Sequence, residues 1–279
     1  MKKKSSFSFE IFPPRKDDNI DKIYYTLEKL SDLKPDFISV TFGAGGSVNS
    51  TNTLDIASLI KNKYNITSIV HLPCIYQSKK QIINILEKCK KRNLKNILAL
   101  RGDIVENKKA NGDFKYASDL VSFIKNYGDF NIFAACYPEK HNEAKNLVED
   151  IHNLKIKVDC GVDILLTQLF FNNDDFYRFK EACDLAKINI PIYAGIMPIA
   201  NKRQILKISN ISGAKIPPKF MKILQKYEYN DEAMLNAGIA YAIDQIVDLL
   251  TNDIKGIHLY TMNNSYIAHR IYEAIHPLL

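Results

Sequence analysis

The sequence predicts one (β/α)8 barrel over residues 1–279, with extra helices before the last strand. Three observations support this fold class. The length of 279 residues lies within the range of about 200 to 400 residues that such barrels occupy. Short β-rich runs alternate with longer segments of helical spacing along the whole chain. The β-rich runs number eight, and no strong linker divides the chain into halves.

The eight β-rich runs are too short for helices, are rich in Ile, Val, Phe or Tyr, and mostly end at Gly or Pro. They predict strands at residues 6–12, 36–43, 66–73, 96–102, 130–138, 164–171, 190–198 and 254–262. Most starts are about 30 residues apart, as expected when eight βα units share about 250 residues. An open doubly wound sheet has the same periodicity and is the structural alternative.

The segments between the strands carry apolar residues on one helical face. Residues 21–33 and 78–92 show this spacing clearly. The interval before the last strand is the longest and leaves room for extra helices, including one over residues 231–250. This interval distinguishes the last βα unit from the others.

The composition is that of a soluble globular protein, with 46% hydrophobic residues, 25% charged residues and a net charge of +7, and the cysteine pattern given below predicts a cytoplasmic location. The sequence has no basic stripe interleaved with aromatic residues, which would predict nucleic-acid binding. It also has no apolar stretch long enough to predict a membrane span. The basic start lacks the apolar core of a signal peptide. Five widely spaced cysteines without a Cys-x-x-Cys pair indicate reduced thiols, and no metal-ligand spacing is present.

Glu10 is a single carboxyl group in an aromatic strand, next to Phe9 and two residues from Phe7. Burial among phenylalanines would raise its pKa, so that it could hold a transferable proton near neutral pH. The alternative is a structural ion pair with a buried Arg or Lys, for example Arg101. A functional role is slightly favoured, because an unsupported buried Glu is costly.

Leu100-Arg101-Gly102-Asp103 ends the fourth strand, where the loops of a barrel form the mouth. The glycine lets the backbone approach a ligand, and the flanking residues offer opposite charges. A salt-bridged turn is an equally good interpretation. The glycine-rich residues 42–46 lack the spacing of a dinucleotide-binding turn, which argues against a Rossmann domain.

A helix after the fifth strand carries Asp150, Asn153 and Lys157 on one face, and residues 141–157 span about 24 Å of helix. That length suits an elongated ligand such as a dinucleotide. An exposed polar face is the simpler interpretation of the same pattern.

Taken together, the strand ends resemble those of the methylenetetrahydrofolate reductase family, flavin-dependent barrels of one-carbon metabolism. The resemblance extends over essentially the whole chain, because nine motifs occur in the family's order. They lie at residues 9–15, 39–44, 71–74, 100–103, 116–120, 135–139, 167–171, 195–198 and 259–263.

The resemblance implies an FAD enzyme that reduces 5,10-methylenetetrahydrofolate to 5-methyltetrahydrofolate for methionine synthesis. In such enzymes NADH or NADPH first delivers hydride to the flavin and leaves, and the folate then accepts that hydride. Glu10 matches the family's proton donor, which helps open the five-membered ring of the folate. Asp103 matches the Asp that tunes the flavin and helps hold the folate, so both residues are implied to be catalytic and to contact substrate.

The same matching implies the binding residues. Those implied to line FAD are Thr41, His71, Leu100, Arg101, Gly102, Asp103, Tyr116, Ala117, Ala135, Tyr137, His141, Ala144, Asp150, Asn153 and Lys157. Gln168, Gln204 and Tyr260 are implied to face the alternating substrates.

Two positions depart from the family pattern. Ile156 stands where some members carry an Arg before the helix Lys, and Asn264 replaces an Arg common after the last strand. Arg270 lies on a following helical turn. A flavin-free folate-binding barrel of a methyl-transfer system and a structural barrel are the competing functions, and a homo-oligomer is compatible with the sequence.

Overall fold

A computed structural model describes residues 5–14, 20–42, 50–104, 109–110 and 112–279. Arg15 of the first family motif and the glycine-rich residues 43–46 lie outside the described residues. Within them, eight parallel strands pair in sequence order, and the eighth pairs with the first to close a barrel. The predicted fold class is confirmed, and the open sheet is excluded.

The eight strands lie inside the eight predicted runs. They are β1 (Ser6–Ile11), β2 (Phe37–Val40), β3 (Thr67–Pro73), β4 (Asn96–Leu100), β5 (Asn131–Cys136), β6 (Ile164–Thr167), β7 (Ile192–Ile196) and β8 (Gly256–Tyr260). Several strands are shorter than predicted because the ends of their runs, including Gly102, Pro138 and Pro198, lie in loops, whereas Pro73 is the last residue of β3.

Ten helices surround the described barrel. They are α1 (Ile20–Asp32), α2 (Ser50–Asn62), α3 (Lys79–Lys91), α4 (Ala117–Tyr127), α5 (Leu147–Asp159), α6 (Asn173–Leu185), α7 (Lys202–Ser212), α8 (Pro218–Lys226), α9 (Asp231–Thr251) and α10 (Ser265–Ile275). A 3₁₀ turn at His276–Leu278 follows. Helices α7, α8 and α9 lie between β7 and β8, which confirms the predicted extra helices.

Side-chain alternation along the strands separates two of the three buried clusters in the described core. Phe7, Phe9 and Ile11 point outward into the large cluster between sheet and helices. A second cluster of Phe37, Ile69, Leu98, Phe133 and Leu166 fills the barrel interior. Because Leu98 and Leu166 also line the cavity above, this inner cluster forms the floor of that cavity.

Helix α9 is 21 residues long and mostly apolar, so its length and composition alone would allow it to cross a membrane. In the structure it packs against α6, α8 and α10. Its apolar composition is therefore explained by helix packing at the last βα unit.

Two side chains from the end of β8 fix the end of β1 at the barrel mouth. The Thr261 hydroxyl donates to the Glu10 carbonyl at 2.9 Å. The Asn263 amide accepts from the Phe12 N–H at 2.8 Å and donates to the Phe12 carbonyl at 2.9 Å. These bonds continue the β1–β8 pairing beyond the last ladder residue and hold the chain that carries Glu10.

We expect Asn263→Ala to lower the free energy of unfolding by about 1 to 3 kcal/mol, because both Phe12 backbone groups lose their partner. Urea denaturation measures this. Asn236→Ala, on the exposed surface of α9, is the control and should change stability by less than about 0.5 kcal/mol. Equal effects of the two changes would show that the Asn263 contacts do not stabilise the seam.

Candidate active site

The barrel mouth contains a cavity of about 450 Å³ at the carboxyl ends of the strands. Twelve of the residues predicted to form the site line it. They are Glu10, Thr41, His71, Leu100, Arg101, Gly102, Asp103, Ala135, Tyr137, His141, Gln168 and Tyr260. Seven different strands or their following loops supply these side chains, as expected for a barrel active site.

The remaining predicted residues do not belong to the wall of this cavity. They are Tyr116, Ala117, Ala144, Asp150, Asn153, Lys157 and Gln204. Tyr116 and Ala117 lie at the start of α4, Asn153 is exposed on α5, and Gln204 is one helical turn before the wall residue Ile208 on α7. The proposed contacts of these residues with FAD or substrate stay predictions.

Two residues outside the wall form hydrogen bonds with the backbone of wall residues. The Asp150 carboxylate accepts the backbone N–H of His141 at 2.9 Å, and the Lys157 ammonium donates to the Ala135 carbonyl at 2.6 Å. Burial lowers the pKa of Lys157. The polar face of α5 is therefore turned partly towards the barrel, and the interpretation as a merely exposed face is wrong for Asp150 and Lys157.

Glu10 points into the barrel interior, away from Phe7 and Phe9, because alternate residues of a strand face opposite sides. The prediction that phenylalanines surround it is therefore wrong, although the prediction of burial is confirmed. Burial raises the pKa of Glu10 from 4.5 to about 8. The carboxyl group is accordingly protonated at neutral pH.

Arg101 is not the partner of Glu10. Its guanidinium forms a bidentate pair with Glu143, with N–O distances of 2.5 and 2.6 Å. This pair raises the pKa of Arg101 and lowers the pKa of Glu143. Arg101 is therefore not the ion-pair partner of Glu10, and its salt bridge joins the fourth strand end to the loop after the fifth strand instead of closing the turn at residues 100–103.

Histidines and serines form a polar layer just above the apolar floor. His258 is buried, with Nδ1 at 2.8 Å from the Ser8 hydroxyl and Nε2 at 3.2 Å from the Ser39 hydroxyl. Burial lowers the pKa values of His258 and His71 to about 3. Both imidazoles are therefore neutral at physiological pH.

Glycines make room for two of the wall residues. Gly102 has φ +89°, and a Cβ atom there would lie 3.0 Å from the Pro73 Cβ. A Cβ at Gly195 would lie 2.6 Å from the Tyr260 ring, whose hydroxyl donates to the Thr167 carbonyl at 2.6 Å. The Tyr260 ring is thus held flat against β7, facing the cavity.

The two departures from the family pattern have local explanations. Asn264 caps α10, with its side chain accepting the Ile267 N–H at 3.2 Å, and Ile156 is exposed on α5. Arg270 donates to the Tyr266 hydroxyl at 2.7 Å and is not part of the cavity wall. Arg270 therefore does not replace the missing Arg in this structure.

Sequence reasoning missed several residues of the site, among them Ser8, Ser39 and His258. Ser8 and His258 lie two residues before Glu10 and Tyr260 on the same strands. Period-two alternation would have placed them in the layer below. The wall residue Ile208 had no comparable signal, because it reaches the cavity from α7 rather than from a strand.

The fold and the site define a (β/α)8 barrel with a buried, protonated carboxyl group in the wall of its mouth cavity. The sequence profile described as "Methylenetetrahydrofolate reductase" matches residues 1–276. The chain belongs to the methylenetetrahydrofolate reductase family.

Relatives within the family match over nearly the whole chain. The 5,10-methylenetetrahydrofolate reductase of Escherichia coli (strain K12) is 34% identical over 264 residues, covering 95% of this chain and 88% of that protein. Methylenetetrahydrofolate reductase (NADH) 1 of Arabidopsis thaliana is 37% identical over 274 residues, covering 93% of this chain but 46% of that protein. This chain therefore spans most of the bacterial relative and about half of the plant relative.

Solved structures show the same fold at lower sequence identity. A protein from Clostridium thermocellum, described as binding two copies of 5-methyl-5,6,7,8-tetrahydrofolic acid, has a TM-score of 0.67 and 15% identity. The match covers 99% of this chain and 96% of that one. At this identity the likeness supports the barrel fold alone.

The raised pKa of Glu10 predicts a pH-dependent loss of stability. Between about pH 4.5 and about pH 8 the unfolded chain has released this proton while the folded chain retains it, so stability falls as pH rises. Glu10→Gln removes this decline, and we expect the variant to be more stable than the wild type by on the order of 3 kcal/mol at pH 8. Urea denaturation from pH 4.5 to 8 measures the difference.

The control for this experiment is Glu28→Gln, the same change at an exposed position of α1. Because this side chain is exposed, the change should alter stability by less than about 0.5 kcal/mol. A Glu10→Gln difference from the wild type that does not grow with pH would contradict the raised pKa of Glu10.

Proposed function

We propose that this protein reduces 5,10-methylenetetrahydrofolate to 5-methyltetrahydrofolate, with FAD as hydride carrier and NADH or NADPH as electron donor. The observation that carries the proposal is the protonated Glu10 carboxyl in the mouth cavity of a chain that belongs to this family. A carboxyl group with a pKa near the operating pH is suited to general acid catalysis.

Glu10 supplies the proton in the proposed reaction. Its carboxyl group loses a proton to a ring nitrogen of the folate, the adjacent C–N bond breaks, and an iminium is left to accept hydride. The apolar floor beneath it keeps the carboxyl neutral until then, because it excludes water from one side.

The wall residues fit FAD in two respects. The backbone at Gly102 is bare, so a flat ring can approach it closely, and Arg101 supplies a cation next to it. We assign Gly102, Arg101, Thr41, Tyr137 and the ring face of His71 to the cofactor; when bound, FAD would supply hydride transfer.

Asp103 and Tyr260 are the proposed neighbours of the reacting rings, and Gln168 is the third substrate-facing residue in the wall. Asp103 is exposed at the mouth, where its charge adds a negative potential next to Arg101. Tyr260 presents a ring whose hydroxyl proton is already donated to a backbone carbonyl, so it contributes a surface rather than an acid.

NADH is the favoured donor, because a relative of 37% identity is named for NADH. The donor, the supply of product for methionine synthesis, the cytoplasmic location and any homo-oligomer are parts of the proposal that need their own measurements. A flavin-free folate-binding barrel remains the alternative outcome of the first experiment below.

Purified protein is expected to be yellow, because FAD copurifies or is taken up on addition. Under anaerobic conditions NADH should bleach the flavin absorbance at about 450 nm. The loss of absorbance should correspond to full reduction of the bound FAD. Methylenetetrahydrofolate should then restore it. Protein that binds folate but takes up no FAD would support the flavin-free alternative instead.

Glu10→Gln is expected to separate the two half-reactions. Flavin reduction by NADH should stay within about threefold of the wild type, while reoxidation by methylenetetrahydrofolate should slow by roughly 10² to 10⁴-fold, because only the second step needs the proton. Anaerobic stopped-flow absorbance measures both rates. Glu28→Gln is the matched control, and loss of both half-reactions with FAD retained would contradict the role of Glu10.

A further inference from the structure

The Glu10 carboxyl group faces an imidazole across the barrel interior. His71 Nε2 lies 3.6 Å from Glu10 Oε2, and the two side chains are 8% and 13% exposed. His71 Nε2 is also buried without a hydrogen-bond partner among the described residues. Buried polar atoms are rarely left unpaired, so this one requires an explanation.

The groups around this pair are already committed. The Ser8 hydroxyl donates to the Ile257 carbonyl at 3.1 Å and so can only accept from His258 Nδ1, which leaves His258 Nε2 to accept from Ser39. The Tyr260 hydroxyl donates to the Thr167 carbonyl. Neither His258 nor Tyr260 therefore has a hydrogen-bond donor left for Glu10.

Tyr76, in the loop after the third strand, also lines the cavity and has an interaction of its own. The other titratable or charged wall residues belong to the fourth and fifth strand ends. Arg101 is held by Glu143, and Tyr137 packs edge-on against His141 at 4.7 Å between ring centroids. Asp103 is exposed at the mouth. Of the titratable wall residues described, His71 is the one whose ring nitrogen lies within 4.0 Å of the Glu10 carboxyl group.

We propose that His71 is a positioning residue for Glu10, donating its Nε2–H to Glu10 Oε2 so that Oε1 carries the transferable proton towards the substrate. The 3.6 Å separation must close by less than about 1 Å to form this bond. The gap is too narrow for a bridging water. The inference rests on the proposed reductase function, because it assigns His71 a part in the same proton transfer.

The proton transfer balances without any further reactant. The Oε1–H bond of Glu10 breaks, its electron pair stays on the carboxyl group, and the proton moves to the folate nitrogen. The resulting carboxylate is left in a dehydrated place, where the Nε2–H of His71 stabilises it by a charge-assisted hydrogen bond. Neutral His71 suits this role, because its Nε2–H donates a hydrogen bond to Oε2 without transferring the proton.

The first test measures the titration of Glu10 without substrate. The protein is labelled with ¹³C at the glutamate side-chain carboxyl, and the Glu10 resonance is assigned by its loss in Glu10→Gln. Replacing His71 by Leu removes the donor, so the pKa of Glu10 should rise by roughly one unit or more. His71→Gln keeps an N–H at a similar reach and should restore most of the wild-type value.

The second test measures the half-reactions by anaerobic stopped flow. His71→Leu should slow reoxidation by methylenetetrahydrofolate by roughly 10 to 100-fold, with a smaller effect on flavin reduction by NADH at saturating FAD. In a Glu10→Gln background the same change should slow reoxidation by less than about twofold, since the carboxyl through which His71 acts is gone.

Three results would overturn the positioning role. They are an unchanged or lowered pKa of Glu10 in His71→Leu, equal slowing of both half-reactions, or a full additional loss in the Glu10→Gln background. If His71→Leu does not fold, His71→Met removes the same N–H group and takes its place. Failure of the proposed function is distinguishable, because wild-type protein would then not be reoxidised by folate, while the ¹³C titration would still report the contact between His71 and Glu10.

Discussion

The apolar floor of the barrel is the constraint on which the site depends. Phe37, Ile69, Leu98, Phe133 and Leu166 fill the interior below the cavity and exclude water from it. Glu10 lies above this floor and above the buried layer of Ser8, Ser39 and His258, so it loses hydration on one side, and its pKa is raised by burial and not by a neighbouring negative charge. The acid therefore needs no special partner to stay protonated, only a position one layer above a well-packed interior.

Closure of the barrel converts sequence order into this layered arrangement. The register pairs Glu10 with Ser39, the partner of His258, on one side and with Tyr260 on the other, so residues far apart in the chain come together below the mouth. Hydrogen bonds from Thr261 and Asn263 hold the β1 end in that register beyond the last paired residue. A slip of two residues at this seam would move Glu10 out of the layer that contains His71, so the seam and the chemistry are linked.

The fold was predictable because eight β-rich runs at regular spacing leave few architectures, and the structure confirms each run. The strand-borne site residues were predictable for a related reason, since the carboxyl ends of parallel strands must meet at one mouth. The environment of Glu10 was mispredicted because neighbours in sequence were taken as neighbours in space, whereas alternation turns Phe9 to the opposite face. The Arg101–Glu143 pair and the capping role of Asn264 depend on loop geometry, which no strand periodicity encodes.

The fully paired His258 has a consequence for how the acid is recharged. Its two nitrogens and the hydroxyls of Ser8 and Ser39 form a chain of hydrogen bonds that ends at the Ile257 carbonyl, and the apolar cluster lies below. This chain has no titratable end, so it cannot conduct protons from the bottom of the barrel. If Glu10 acts as the proposed proton donor, we infer that its proton is replaced through the mouth cavity that it lines. Reprotonation is then expected to follow product departure, so that each turnover starts with a neutral, protonated carboxyl group.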